Sequence, residues 1–257
     1  MIKAVFKYLK HILTARHSYG FGIHSPFIFR YVRNVVYEKS EYYAFGAIEK
    51  LRKELHNNTD VIQVTDFGTG ESKPRKIAEI ARKSLKRAKS AQLLYRTVNF
   101  VKPETILELG TSLGITTCYL AAYSEKCQCT TIEGCPEIAR IAENNFKELK
   151  YNNITLLNGE IDKILPDFLR ATDKLDFVFI DANHTSEALI SYFNQCVTKT
   201  GPNSVFVADD IHWSDDMETG WKYIQNHPSV KTTIDVFDMG IVFFNADLNK
   251  QHYRLCY

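Results

Sequence analysis

The segment Glu108-Leu109-Gly110-Thr111-Ser112-Leu113-Gly114 joins a short apolar run, Thr105–Leu109, to a helix-like stretch at 115–122. A ligand that meets the main chain needs a tight turn at such a point, and glycine tolerates both the turn and the close approach. N–H groups left free at the start of the following helix would face an anionic group such as a carboxylate. The spacing is GxxxG, not the GxGxxG of dinucleotide sites, and the sequence holds no GxxxxGK[ST] phosphate loop. Glu133 closes the next apolar run, at 129–132, and Gly134 follows it. It stands close to the ~20-residue spacing at which an acid grips ribose hydroxyls in folds of this kind. A third run, 154–157, leads into Asn158-Gly159-Glu160-Ile161, which puts Gly159 and Glu160 where the edge of a nucleoside base would lie. An ordinary strand–helix turn would explain the glycines alone. Glu133 in register makes the loop a candidate ligand site.

Three further carboxylates end later apolar runs. Asp181 follows 177–180, and the pair Asp209-Asp210 follows 205–208. The carboxyl ends of parallel strands share one edge of a sheet, the edge that binds ligands. Carboxylates gathered there repel one another unless neutralised, and a hard divalent cation such as Mg2+ does so through oxygen ligands. A lone Asp at a strand end and a turn-capping role for Asp210 are the plainer alternatives.

These residues need elements to position them. From about residue 104 onward, short runs with almost continuous apolar character alternate with amphipathic stretches of helix length, as expected of parallel strands covered on both faces. Pro136 suits the first turn of one helix. Ser214 suits the cap of another, whose first turn holds Asp215 and Asp216 and whose Met217, Trp221 and Ile224 share a face. At the end, the strand-like runs 230–237 and 241–244 meet through Asp238-Met239-Gly240, which is hairpin spacing. A Rossmann-like, mostly parallel seven-stranded sheet closed by an antiparallel hairpin, with helices on both faces, resembles the class I S-adenosylmethionine-dependent methyltransferases. The resemblance implies S-adenosylmethionine as cofactor, held by Glu108, Gly110, Thr111, Ser112, Gly114, Glu133, Gly134, Gly159, Glu160 and Asp181.

Ile180-Asp181-Ala182-Asn183-His184 and Ala208-Asp209-Asp210 narrow the resemblance to the metal-dependent O-methyltransferases, which include the catechol, caffeoyl-CoA, macrolide and aminocoumarin sugar enzymes. It implies Asp181, Asp209 and Asp210 as Mg2+ ligands and a hydroxylated small molecule as acceptor. The Asp-Asp pair is closer to the sugar enzymes. Catechol-type members carry a general-base Lys three residues after the first Asp, and this chain has His184 there; some sugar enzymes carry an Asp where this chain has Asn183. An imidazole titrates near neutrality, which fits His184 to the base role beside Asp181. His212 is a second candidate base, and Trp213 is either a lining residue of the acceptor pocket or a core residue.

The first hundred residues are less legible. Stretches 27–37, 48–56 and 76–98 suit helices, with a strand-like run at 61–64, so residues 1–98 read as a mainly helical cap on a cofactor domain at 99–257. Asp66-Phe67-Gly68-Thr69-Gly70 imitates the cofactor loop, but no strand–helix–strand follows it, and it reads as a turn or a lid. The stretch 73–89 is rich in Lys and Arg and reads as an amphipathic basic helix. It raises RNA methylation as an alternative; a non-catalytic cofactor-binding protein is a second. A net charge of +2 and the absence of an Asn-Pro-Pro-Tyr or Asp-Pro-Pro-Tyr motif weigh against nucleic acid. No apolar run is long enough to span a membrane, the start does not resemble a secretion signal, and the six cysteines lack paired spacing. The expectation is therefore a cytoplasmic enzyme with reduced thiols, a homodimer being the candidate assembly.

Overall fold

The computed structural model describes residues 2–65 and 72–257. In chain order the elements begin with α1 (Ile2–Thr14), a single 3-10 turn (Ser18–Gly20) and α2 (Pro26–Tyr31), which runs into a π-helical turn (Val32–Val36). Then come α3 (Tyr43–Asn57), β1 (Val61–Thr65), β2 (Ser72–Lys76), α4 (Ile77–Ser84) and α5 (Ala88–Val101). The alternating part consists of β3 (Thr105–Leu109), α6 (Ile115–Ala121), β4 (Gln128–Glu133), α7 (Pro136–Glu148), β5 (Ile154–Asn158), α8 (Ile161–Ala171), β6 (Leu175–Ile180), α9 (Ser186–Val197), β7 (Thr200–Asp209) and α10 (Asp215–Asn226). The chain ends with β8 (Thr232–Asp235), β9 (Met239–Phe243) and β10 (Gln251–Arg254).

The main sheet has eight strands in the order β10-β8-β9-β7-β6-β3-β4-β5. The pairs β3–β4, β4–β5 and β6–β7 are parallel, whereas β9 runs antiparallel to both β7 and β8. This is the expected α/β sheet with its antiparallel hairpin. It gains an eighth strand, β10, which lies parallel to β8 at the sheet edge. No apolar run marks Gln251-His252-Tyr253-Arg254, of which only Tyr253 is buried.

The chain divides into two compact units, Ser40–Ala171 and a second made of Met1–Lys39 with Thr172–Tyr257. In the first, Phe45, Ile48 and Leu51 of α3, Ile77 and Ile80 of α4, Tyr95 of α5, Cys118 and Tyr119 of α6, and Ala142 and Phe146 of α7 form one apolar cluster. Tyr119 is fully buried, and its hydroxyl donates to Glu49 at 2.7 Å, which satisfies the polar end of a large core side chain. In the second unit, the strand residues Phe177, Phe179, Phe206 and Val207 are fully buried, as a strand covered on both faces requires.

The basic stretch corrects one expectation. Residues 73–89 do not form one helix. Ser72–Lys76 pair antiparallel with β1, with Pro74 opposite Gln63, and helix begins only at Ile77 and stops at Ser84. Proline lacks the N–H and crowds the preceding turn of a helix, but it is tolerated in a strand that leaves its N–H side unpaired. The continuous basic face that favoured RNA is thereby broken. The Asp66–Gly70 segment lies outside the described residues. Among those described, no helix is long and apolar enough to cross a membrane.

Candidate functional site

In the unit Ser40–Ala171, the glycine loop is a tight turn with three left-handed residues: Gly110 (φ 99°), Ser112 (φ 49°) and Gly114 (φ 82°). The N–H groups of Gly110 and Thr111 both donate to the carbonyl of Ile132 in β4, at 3.1 and 3.3 Å. Gly114 starts α6 where the helix touches α7. A Cβ there would stand 2.5 Å from Phe146 Cε1, so the position has no room for a side chain.

Glu108 and Thr111 brace this turn from inside. Glu108 is completely buried, and its Oε2 accepts from Thr117 Oγ1 at 2.5 Å and Thr131 Oγ1 at 2.7 Å. Thr131 spends its hydrogen on Glu108, so Thr111, 2.6 Å away, donates to Thr131. The side chains of these two expected contact residues are thus turned into the core, and they can offer a ligand only their main chain.

Glu133 sits at the rim. Its Oε2 accepts the Ser112 N–H and its Oε1 the Cys135 N–H, each at 2.9 Å. Burial pushes its carboxyl above the usual range, and the main-chain donors of Cys135, Ser112 and Gly134 pull the other way. Asn158, opposite Glu133 in β5, donates its amide to the carbonyls of Glu133 and Gly134 at 2.8 and 3.1 Å and so fixes the turn that carries the acid. Gly159 donates its N–H to the Glu133 carbonyl at 2.9 Å. Glu160 pairs with Lys163 at 2.8 Å on the surface. The sequence did not single out Asn158, or Ser84, whose hydroxyl meets that of Ser112 at 2.7 Å. Polar residues at such places carry no signal until the fold pairs them.

In the other unit, Asp181 follows β6 and Asp210 follows β7. Asn183 and Asp210 both adopt left-handed backbone (φ 47° and 51°), which short polar side chains tolerate better than most. Asp181, His184 and Asp210 present ligand atoms that all lie within 4.8 Å of one another, and His184 Nδ1 is 3.9 Å from Asp210 Oδ2. Asp209 is not part of this group. It is 3% exposed, at the last ladder position of β7 opposite Met239. Asn183 donates its amide to Tyr192 Oη at 2.7 Å, which pins the turn ahead of α9. Thr185 caps α9 through Ala188 N–H, and Ser186 donates from both N and Oγ to Asp216 of α10 at 2.6 Å.

His212 turns elsewhere. Its Nε2 meets Asp235 at 2.9 Å and its Nδ1 meets Glu218 at 3.0 Å. Burial works against the charged ring, but Asp235 and Glu218 outweigh it and hold the imidazolium above its ordinary range. Both ring nitrogens are taken, so the second-base reading has no free nitrogen. Trp213 is 71% exposed and is not a core residue.

Residues 107–211 match the family model of a methyltransferase domain. No curated protein matches the sequence. Among solved structures, the O-methyltransferase from Bacillus cereus in complex with SAH is 19% identical, with a TM-score of 0.59 over 83% of this chain and 96% of that one. TomG from Streptomyces achromogenes, an O-methyltransferase involved in tomaymycin synthesis and solved with SAM, is 18% identical, with a TM-score of 0.60 over 82% and 93%. The SAH-bound Podospora anserina methyltransferase PaMTH1 is 13% identical, with a TM-score of 0.55 over 81% and 99%. The chain therefore carries a methyltransferase domain at residues 107–211, on the Rossmann-like α/β fold that these enzymes share.

Proposed function

We propose that the chain transfers a methyl group from S-adenosylmethionine to a hydroxyl of a small-molecule acceptor, with a divalent cation of the Mg2+ class at Asp181 and Asp210. The observation that carries the reading is the bond between Glu133 and Ser112 N–H, which links the acid suited to ribose with the turn suited to the amino-acid end of the cofactor. In this reading Glu133 accepts the ribose hydroxyls, Gly110 to Gly114 meet the ligand through main-chain groups, and Gly134, Gly159 and Glu160 border the base. Asp181 would serve the cation.

The donor set suits a cation. Two half-exposed carboxylates converge beside an imidazole, and hard divalent ions favour carboxylate oxygen. Asp209, buried at the last ladder position of β7, stands outside this group. A bound cation would favour ionisation of the acceptor hydroxyl. His184 would take the proton at Nε2, with Nδ1 turned to Asp210. The acceptor oxygen would then bond to the methyl carbon as the sulfur–carbon bond broke, which would leave S-adenosylhomocysteine, a methyl ether and the proton on His184.

The test is methyl transfer from labelled S-adenosylmethionine to a panel of catechols and sugar hydroxyls, with Mg2+ and with EDTA. Transfer that EDTA removes and Mg2+ restores supports the reading. Transfer to RNA in place of these acceptors would overturn it.

A further inference from the structure

A second cluster of metal-binding side chains lies in the unit Met1–Lys39 with Thr172–Tyr257. His11 of α1, His212 from the loop after β7, and Asp235 at the end of β8 present ligand atoms within 4.8 Å of one another. His11 is 4% exposed and Asp235 3% exposed. His11 Nε2 lies 2.8 Å from the Leu255 carbonyl, which can only accept, so this nitrogen carries the hydrogen. The other nitrogen, Nδ1, is buried and has no hydrogen-bond partner; Asp235 Oδ1 stands 3.4 Å away. His212 faces Asp235 Oδ2 with Nε2 and Glu218 with Nδ1, and Lys7 holds Glu218 in place at 3.1 Å.

We propose that His11 Nδ1, His212 Nε2 and Asp235 form a binding site for a divalent transition-metal ion of the zinc class. Two geometric facts and the donor chemistry support it. Metal-bound histidines typically give their second N–H to a carbonyl or carboxylate, and both rings already do so, His11 to Leu255 and His212 to Glu218. Zinc binds His nitrogen and Asp oxygen at roughly 2.0–2.2 Å with tetrahedral angles, which sets neighbouring ligand atoms about 3.4 Å apart; His11 Nδ1 and Asp235 Oδ1 have that separation. Two nitrogens with one carboxylate is a borderline donor set that suits such ions better than Mg2+.

The surroundings fit a built site. Phe237 holds a left-handed φ of 76°, unusual for a bulky side chain, and its ring stacks on His212 and meets His11 edge-on. Its N–H donates to Asp235 Oδ1 at 2.9 Å, and Arg254 Nε donates to Oδ2 at 3.3 Å. Both histidines also line a cavity of about 630 Å³, whose walls carry Lys10 and Lys222 together with Asp215 and Glu218. Binding displaces the proton that His212 Nε2 shares with Asp235, so about one proton is released per ion.

The test is Co2+ titration of the whole chain, followed by visible absorption, with Zn2+ as competitor. Wild type and Asp181→Asn are expected to show the same cobalt bands, with release of about one proton as Co2+ binds and no further release as Zn2+ displaces it. His11→Gln, checked for folding by circular dichroism, is expected to lose them. Glu218→Gln keeps every ligand and removes only the partner of His212; it is expected to weaken Zn2+ by roughly 10- to 100-fold. Absence of cobalt bands in the folded wild type, their persistence in His11→Gln, their loss in Asp181→Asn, or unchanged Zn2+ affinity in Glu218→Gln would each overturn the proposal.

Discussion

Glu133 Oε2 accepts the main-chain N–H of Ser112 at 2.9 Å, so the acid at the end of β4 and the left-handed residue in the middle of the glycine loop hold each other in place. Burial raises the Glu133 pKa above the ordinary carboxylate value of 4.5, against the pull of its three main-chain donors. The sign for stability follows. A raised folded-state pKa favours the protonated acid in the fold, so this contribution is complete below the unfolded value and is lost as pH rises through the folded one. Cofactor binding runs the other way, because the ionised acid accepts the ribose hydroxyls. Affinity for S-adenosylhomocysteine should therefore begin to fall at a pH above 4.5 as the solution is acidified, and Glu133→Gln should flatten that fall. Calorimetry across pH 4 to 8 (roughly the carboxylate-to-neutral span) checks it; a midpoint at or below the ordinary value contradicts it.

Gly114→Ala should destabilise the protein twice over. A left-handed φ costs an L-residue about 1–2 kcal/mol, and the new methyl would press on Phe146, where overpacking costs about 1–3 kcal/mol. Denaturant unfolding should show a loss of ~2 kcal/mol or more. Phe146→Leu in the same chain should recover the packing part only.

The candidate cation ligands separate by position. Asp181→Asn and Asp210→Asn should each lower Mg2+-dependent transfer by about 10-fold or more, since each removes a charged ligand from an open cluster. Asp209→Asn should act mainly on stability, because Asp209 is buried in the ladder. Mg2+ titration of activity, set beside thermal unfolding, distinguishes the two. An Asp209 variant that unfolds like wild type but needs far more Mg2+ would restore it as a ligand.

The thiols make a simpler prediction. Cys118, Cys127, Cys129, Cys135 and Cys196 are buried, and burial pushes the Cys196 thiol up to about 12 and those of Cys118 and Cys129 well above their usual value. The thiolate is the reactive form, so only Cys256, half-buried, should react quickly with a disulfide reagent in the native state. A second fast thiol would contradict the packing described for α6, β4 or α9.

The elements that bury both faces were legible because burial imposes an unbroken apolar run: β3 occupies the expected residues 105–109, and β4 to β7 contain the expected runs. So were Pro136 at the first turn of α7 and Ser214 as the cap of α10, where it accepts Met217 N–H at 3.0 Å. The hairpin β1–β2 was half missed. Lys and Arg favour helix over strand, and Pro74 was the one local sign against a helix. The edge strand β10 is polar and exists through its pairing with β8, a tertiary cause. In the cofactor loop the residue types were readable, but not that Glu108 and Thr111 face inward, since that depends on Thr117 and Thr131 standing beneath them. His11 and Asp235 come from opposite ends of the chain, and a single histidine in an amphipathic helix carries no signal of its own.

The most direct test of the central claim is calorimetric titration of wild type and Glu133→Ala with S-adenosylhomocysteine at neutral pH. Charge-assisted hydrogen bonds contribute about 1.5–3 kcal/mol each, so loss of the carboxylate should weaken binding by ~10-fold or more. Tight binding to wild type with that loss in the variant is the predicted result. Equal affinity in the two proteins, or no binding to folded wild type, would contradict the assignment of this loop and this acid as the cofactor site.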